Sequence, residues 1–202
     1  MRAAGARHRA PVDGAWPGRL RGRAPLAIRS FEDRTPVIAP SAYIDETALV
    51  VGDVTIGEHS SLWPMVVARG DVNRIVIGAY TNIQDGSILH GTHDGPFSPG
   101  GQPLSIGDRV TVGHQAILHA CRIEDDCLIG MRATVMDGVV LKPGVVLAAG
   151  SLVPGGKVLE GFLWVGSPAR RARALTEREI AHLEYSATHY ARLKERHRAR
   201  LE

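Results

Sequence analysis

Asn82-Ile83-Gln84-Asp85-Gly86-Ser87-Ile88-Leu89-His90 and, after one loop, Gly113-His114-Gln115-Ala116-Ile117-Leu118-His119 follow the same pattern. Aliphatic residues stand six positions apart, at Ile83 and Leu89 and again at Val112 and Leu118, and both stretches end on histidine. The rhythm extends outward on both sides. It begins at Ile38, Ile44, Val50, Ile56 and Leu62, resumes at Ile77, and returns at Ile106 after the loop. Just after His119 it slips by one residue, then continues at Ile123, Ile129, Val135, Leu141, Leu147 and Val153. A fixed six-residue period indicates a β-helix. Each repeat supplies one short strand and one corner, and stacked coils bury a continuous aliphatic core. Gly57, Gly78, Gly107, Gly113 and Gly130 each follow an inward aliphatic residue, where they are expected to relax the corner. The slip after His119 marks that corner as specialised, as a bulge does beside an active site.

Composition agrees with a thin-cored solenoid. Glycine is abundant, at 23 residues, and aromatic residues make up only 5%. A chain of 202 residues fits one domain of this kind. No apolar run approaches the ~20 residues needed to span a bilayer, and the N-terminus lacks the apolar segment of a secretory signal. Two cysteines, Cys121 and Cys127, are too few for a disulfide framework, which makes a reducing cytoplasm the expected setting. The net charge of +3 divides unevenly, because residues 1–30 carry seven arginines against the single acid Asp13. The remaining chain is mildly acidic, so no basic face for nucleic acid is expected on the folded body.

Residues 1–26 have no periodicity and are read as a disordered basic extension; Pro11, Pro17 and four glycines argue against a transit-peptide helix. Residues 27–174 are read as the β-helix domain. Within it, residues 91–103, rich in Gly and Pro, form a loop projecting between His90 and His114. The stretch Leu159–Ala169 reads as the last turn closing the solenoid. Residues 175–202 are read as a C-terminal helix. Thr176 and Glu179 form a capping box, and Ile180, Leu183, Ala187, Tyr190 and Leu193 follow at helical spacing.

The chemistry centres on His90, His114 and His119. Neutral imidazole is the commonest metal-ligating side chain, and three such ligands plus an open position make a catalytic zinc-type site. A divalent ion held this way generates hydroxide near neutral pH. In a prism of ~18 residues per turn, His114 and His119 lie on adjacent faces. His90 falls at a height similar to His114, so the spacing does not bring all three to one centre; coordination across a subunit interface would. Gln84 and Asp85 are placed to orient a nucleophile or hold a ligand, and Asp85 is a candidate partner for Arg69. Arg69-Gly70-Asp71 is also readable as a solvated corner pair of little energetic weight. His182, His189 and His197 are placed on the polar side of the helix, His59 on an outer corner, and His93 in the loop. Cys121 and Cys127 are read as small core residues.

Taken together, Arg69-Gly70-Asp71, Ile77-Gly78, Thr81-Asn82-Ile83-Gln84-Asp85-Gly86, Leu89-His90, Gly113-His114, Leu118-His119, Ile129-Gly130-Met131 and Gly166-Ser167-Pro168-Ala169 resemble the γ-class carbonic anhydrases and their bacterial relatives over about residues 30–195. The resemblance implies a left-handed parallel β-helix with a C-terminal α-helix, assembled as a homotrimer with a metal between subunits. It implies that His90 and His119 come from one chain and His114 from its neighbour. Gln84 would hydrogen-bond the metal-bound hydroxide, Arg69 and Asp85 would form the inter-subunit ion pair, and Tyr190 would lie near the site. The implied reaction is carbonate dehydration and its reverse, hydroxide adding to CO2 to give bicarbonate. Zinc is the leading metal, with iron and cobalt as alternatives that imidazole also suits. The chain departs from the pattern at Val72, where the family's characterised enzyme has a proton-transferring Glu, and in loop 91–103, whose only acid is Asp94. Weak activity is the expected consequence. Two other classes share the rhythm: a hexapeptide-repeat acyltransferase, which uses one catalytic histidine and no metal, and a non-catalytic metal- or ligand-binding trimer.

Overall fold

The computed structural model describes residues 28–199; the basic extension expected over 1–26 lies outside them, as do the last three residues of the C-terminal segment. The described chain is a parallel β-helix with one helix laid along it, as the periodicity predicts. Two-to-three-residue strands stack into three ladders. One is an eight-stranded sheet from Tyr43–Ile44 to Arg170–Arg173. The other two form a single twelve-stranded sheet, because the long strands Leu49–Ile56 and Val67–Ile77 run continuously around the corner between them.

The inward ladder is the predicted one. Every hexad residue from Val50 to Val153 is at most 1% exposed. Ile38 and Ile44, on the first coil with no coil beneath them, are only partly buried against the core. The final strand, Arg170–Arg173, turns back antiparallel onto Leu163–Val165 and ends the stack. Cys121 and Cys127 both point into the core, where burial pushes the Cys127 thiol up to about 12.

The corner glycines act differently from the expectation. Gly57, Gly78, Gly107, Gly113 and Gly130 do not adopt positive φ. The left-handed residue comes two positions later and carries a side chain: His59, Tyr80, Arg109, Gln115 and Arg132, with φ of 54–59°. The glycines are required because coils stack too closely for a Cβ. A Cβ on Gly78 would lie 2.6 Å from backbone atoms of Gly107, and one on Gly130 would lie 2.4 Å from the Ala149 nitrogen.

The helix spans Glu177–Arg198 and starts at the predicted capping box, with Thr176 and Glu179 satisfying each other's backbone N–H. Its packed face is Leu183, Ser186, Ala187 and Lys194. Ile180, expected on that face, is 56% exposed. It sits in the first turn, ahead of the point where the helix meets the sheet. Replacing Thr176 with Ala is expected to cost about 1 kcal/mol, read as a lower Tm. The Arg173 guanidinium, followed by Thr176, holds the Glu179 carboxyl down at about 2 against its ordinary 4.5. The helix start therefore gains stability above pH 4.5 and loses it as the pH falls toward 2.

Candidate metal centre

Three irregularities of the coil fall at one corner; a fourth, the five-residue step from Leu159 to Trp164, lies at the closing end of the stack. Between Leu49–Gly52-type strands and the next face, inward residues are six apart at Val50 and Ile56 but nine apart at Ala68 and Ile77. They are seventeen apart at Leu89 and Ile106, five at Leu118 and Ile123, and six again thereafter. This corner carries Asp71, His90, loop 91–103 and His119. It also explains a correction to the expected geometry. The loop adds eleven residues to the coil, so His90 pairs in register with His119, 29 residues on, and not with His114. Their rings lie 5.5 Å apart, centroid to centroid.

His114 sits one face away, just after strand Thr111–Val112. Its company is Gln84, Asp85 and Tyr190. Gln84, His114, Ser186 and Tyr190 line a cavity of about 480 Å³ between the helix and the eight-stranded sheet, and His182 and His189 line it too. The latter two flank Tyr185 in a stack and are exposed, as their expected place on the polar side of the helix implies, while also lining the cavity. Gln84 donates to Asn82, Asn82 to Thr111, and Thr111 shares a hydrogen bond with Ser186 of the helix. This chain fixes the Gln84 amide relative to the helix. Burial, and then the Asp85 carboxylate, raise the Tyr190 phenol above its ordinary value. His197 packs against Trp63 and Tyr43, which tie the end of the helix to the first coils. His59 stacks on Tyr80, and His93 lies exposed against Gly95 of its own loop.

The seven site residues therefore divide into two groups. Arg69, His90 and His119 share the irregular corner; Gln84, Asp85, His114 and Tyr190 share the helix side. Within the chain, Arg69 does not meet Asp85. Its guanidinium donates to Asp71 at 2.6 Å, while Asp85 Oδ2 lies 2.9 Å from His114 Nδ1. Among the described residues, no cluster of three or more His, Cys, Asp or Glu is arranged to hold a metal.

The chemistry of the donor set nonetheless fits a metal. His90 Nδ1 donates to the Arg69 carbonyl at 2.6 Å, and His119 Nδ1 donates to Asp137 at 2.6 Å. Asp85 faces the same nitrogen of His114. These oxygens can only accept, so the His90 and His119 imidazoles each hold a proton on Nδ1 and turn Nε2 outward, the arrangement that orients metal-ligating histidines. Beside His90, Asp71 Oδ1 is buried without a hydrogen-bond partner. Burial raises the Asp71 and Asp137 carboxyls, but hydrogen bonds outweigh it: from Arg69 for Asp71, and from Thr92 and His119 for Asp137. Both carboxyls stay below their ordinary value and ionised.

Asp137 was missed from sequence. The slip after His119 shortens that turn to 17 residues, pairing Leu118 with Val135, so Asp137, 18 residues on, stands one residue past the register position of His119.

Comparison with known proteins places this arrangement. Residues 120–155 match the family of bacterial transferase hexapeptide repeats. The chain is 41% identical to a probable carbonic anhydrase of Methanocaldococcus jannaschii, over 79% of this chain and 96% of that one. The chain belongs to the γ-carbonic-anhydrase-like family of hexapeptide-repeat proteins. It is also 45% identical to the mitochondrial γ carbonic anhydrase 1 of Arabidopsis thaliana, over 83% of this chain, and spans 61% of that longer protein. A solved Bacillus cereus protein described as a putative acetyltransferase superposes on this γ-carbonic-anhydrase-like chain with a TM-score of 0.80, at 38% identity over 85% of this chain and 96% of that one.

Proposed function

We propose that the protein is a metal-dependent carbonic anhydrase-like enzyme whose centre is completed by a second copy of the chain in a homotrimer. The observation that carries this reading is the shared setting of three imidazoles, each with Nδ1 facing an acceptor oxygen. His90 and His119 form a pair on one chain, and His114 is the third ligand, supplied by a neighbour. The bound ion, zinc first and iron or cobalt next, would supply Lewis acidity that lets water lose a proton near neutral pH.

The chain's own residues do the rest. Gln84, fixed through Asn82, Thr111 and Ser186, orients the attacking water. Tyr190 closes the helix side of the site. Arg69 and Asp85 lie on the two surfaces that meet and pair across them, with Asp85 keeping His114 Nδ1 on its Oδ2. CO2 enters and bicarbonate leaves through the cleft between copies.

The test is metal content per chain on protein purified without chelator, followed by stopped-flow CO2 hydration. About one ion per chain, with hydration above the buffer rate, is the expected result. No metal after reconstitution with zinc, iron or cobalt sinks the reading. Val72 is 40% exposed and offers no carboxylate for proton transfer at the corner. Added imidazole buffer is therefore expected to raise kcat, by less than the roughly 100-fold that a positioned acid–base group contributes, while leaving kcat/KM unchanged.

The superposition on a protein described as a putative acetyltransferase supports a second reading, a hexapeptide-repeat acyltransferase. Metal-free protein that binds acyl-CoA and transfers the acyl group would establish it instead.

A further inference from the structure

Loop 91–103 hangs from one pair of residues. Thr92 and Gln102 exchange two backbone hydrogen bonds, of 2.8 and 2.9 Å, which close the loop at its base. From the coil below, the Asn73 side chain donates to the Thr92 carbonyl at 3.0 Å. The Thr92 hydroxyl then donates to Asp137 Oδ2. The other oxygen of that carboxylate, Oδ1, receives the Nδ1 proton of His119 at 2.6 Å. The chain of contacts runs from loop base to hydroxyl, carboxylate and imidazole.

The geometry has a consequence for His119. A carboxylate anchored at one oxygen can still turn about its terminal torsion, which is a broad well. A hydrogen bond on the second oxygen fixes its plane, and with it the direction of the imidazole it holds. Of the three candidate ligands, His119 alone is supported this way. His90 is held by a strand carbonyl of Arg69, which the sheet itself immobilises.

We propose that Thr92 is a positioning residue for His119, acting through Asp137, and that it makes loop 91–103 and the divalent-cation site one coupled unit. The proposal rests on the metal-centre reading for its use, but the contacts belong to the chain. Coupling of this kind is reciprocal. Whatever the threonine contributes to holding the cation, the loaded cation returns as a firmer loop base. The eleven-residue insertion thereby becomes part of the site's support, where its sequence reads only as a projecting loop.

The experiment compares wild type, Thr92→Val and Thr92→Ser in the full chain. Zinc affinity is read by competition with a chromophoric chelator. In the metal-free protein, the His119 Nδ1 proton is followed by NMR on histidine-labelled samples, and Tm controls for folding. Thr92→Val keeps the shape and loses the hydroxyl. It is expected to bind zinc about tenfold more weakly, the lower end of the effect of losing a ligand's outer partner. Its Nδ1 proton is expected to exchange faster, at an unchanged Tm. Thr92→Ser restores both. Wild-type affinity and a wild-type Nδ1 signal in Thr92→Val overturn the proposal, as does an equal loss in Thr92→Ser accompanied by a fall in Tm. If the wild type binds no zinc, the metal-centre reading falls. The metal-free NMR comparison then decides the role of Thr92 by itself: an Nδ1 signal altered only in Thr92→Val supports it, and one unchanged in both variants refutes it.

Discussion

Mixed assemblies of His114→Ala and His119→Ala chains are expected to recover about a third of the wild-type metal content, where either variant alone recovers almost none; in a closed ring of three that holds both variants, one interface of the three sets an intact His90–His119 pair against an intact His114. The argument is geometric. His119 and His90 stand in register at one corner, and His114 is one face away, engaged with its own Asp85. No rotamer change carries an imidazole around a prism face, so one chain supplies two ligands and not three. Three ligands plus an open position are what a catalytic site needs. Removing either histidine leaves every site in a uniform assembly one ligand short. In a mixed assembly, a His114→Ala chain still offers His90 and His119, and a His119→Ala chain still offers His114. Both side chains are partly exposed, at 46% and 38%, so neither substitution opens the core. Co-expressed chains with different tags, isolated as mixed assemblies, would be analysed for metal and for CO2 hydration. Recovery of neither would refute a shared centre, as would full metal retention by uniform His114→Ala.

Gly130→Ala is expected to be the most damaging conservative change in the solenoid. The added methyl would lie 2.4 Å from the Ala149 nitrogen and 2.6 Å from the Ala148 carbonyl carbon, both backbone atoms of the next coil. No side chain can move aside to make room. The coils must separate locally, which breaks the parallel ladder between Leu128–Ile129 and Val146–Leu147. Overpacking of this kind costs about 3 kcal/mol, which for a chain of this size lowers Tm by roughly 6–12 °C. The opposite case is Met65→Gly. Met65 holds φ of 59° at a 70% exposed corner. Glycine relieves the left-handed strain but frees the unfolded chain, so the net change should stay within about 1 kcal/mol. Thermal melts of the two variants decide between close stacking and backbone conformation as the reason for these glycines. A Gly130→Ala protein as stable as wild type would reject the stacking account.

The helix face shows how far a pattern reaches. Helical spacing placed Ile180, Leu183, Ala187 and Tyr190 on one side, and the last three do face the sheet or the cavity. Ile180 stays 56% exposed because, with Leu183, it lines an open groove against Pro143 and Gly144 and is not packed on the sheet. His182 and His189, placed on the polar side of the helix, are exposed as that phase requires, and both also line the cavity that His114 lines.

The sequence by itself determined the coil. A six-residue period leaves one inward position per face, and the ladder from Val50 to Val153 is buried as the period requires. It also located the three histidines, the loop and the capping box, because each depends on residues close together in the chain. Only the tertiary structure decided which residues meet. In a solenoid, neighbours across coils are set by the summed length of everything between them, so an insertion of three, one of eleven and a deletion of one at a single corner shift every later partner. Those lengths pair His90 with His119, stack Asp137 above His119, hand Thr92 to Asp137, and leave Arg69 with Asp71. The corner glycines follow the same rule. Their identity was visible in the sequence, but the reason for it, the backbone of the next coil 2.4–2.9 Å from any added Cβ, exists only once the coils are stacked.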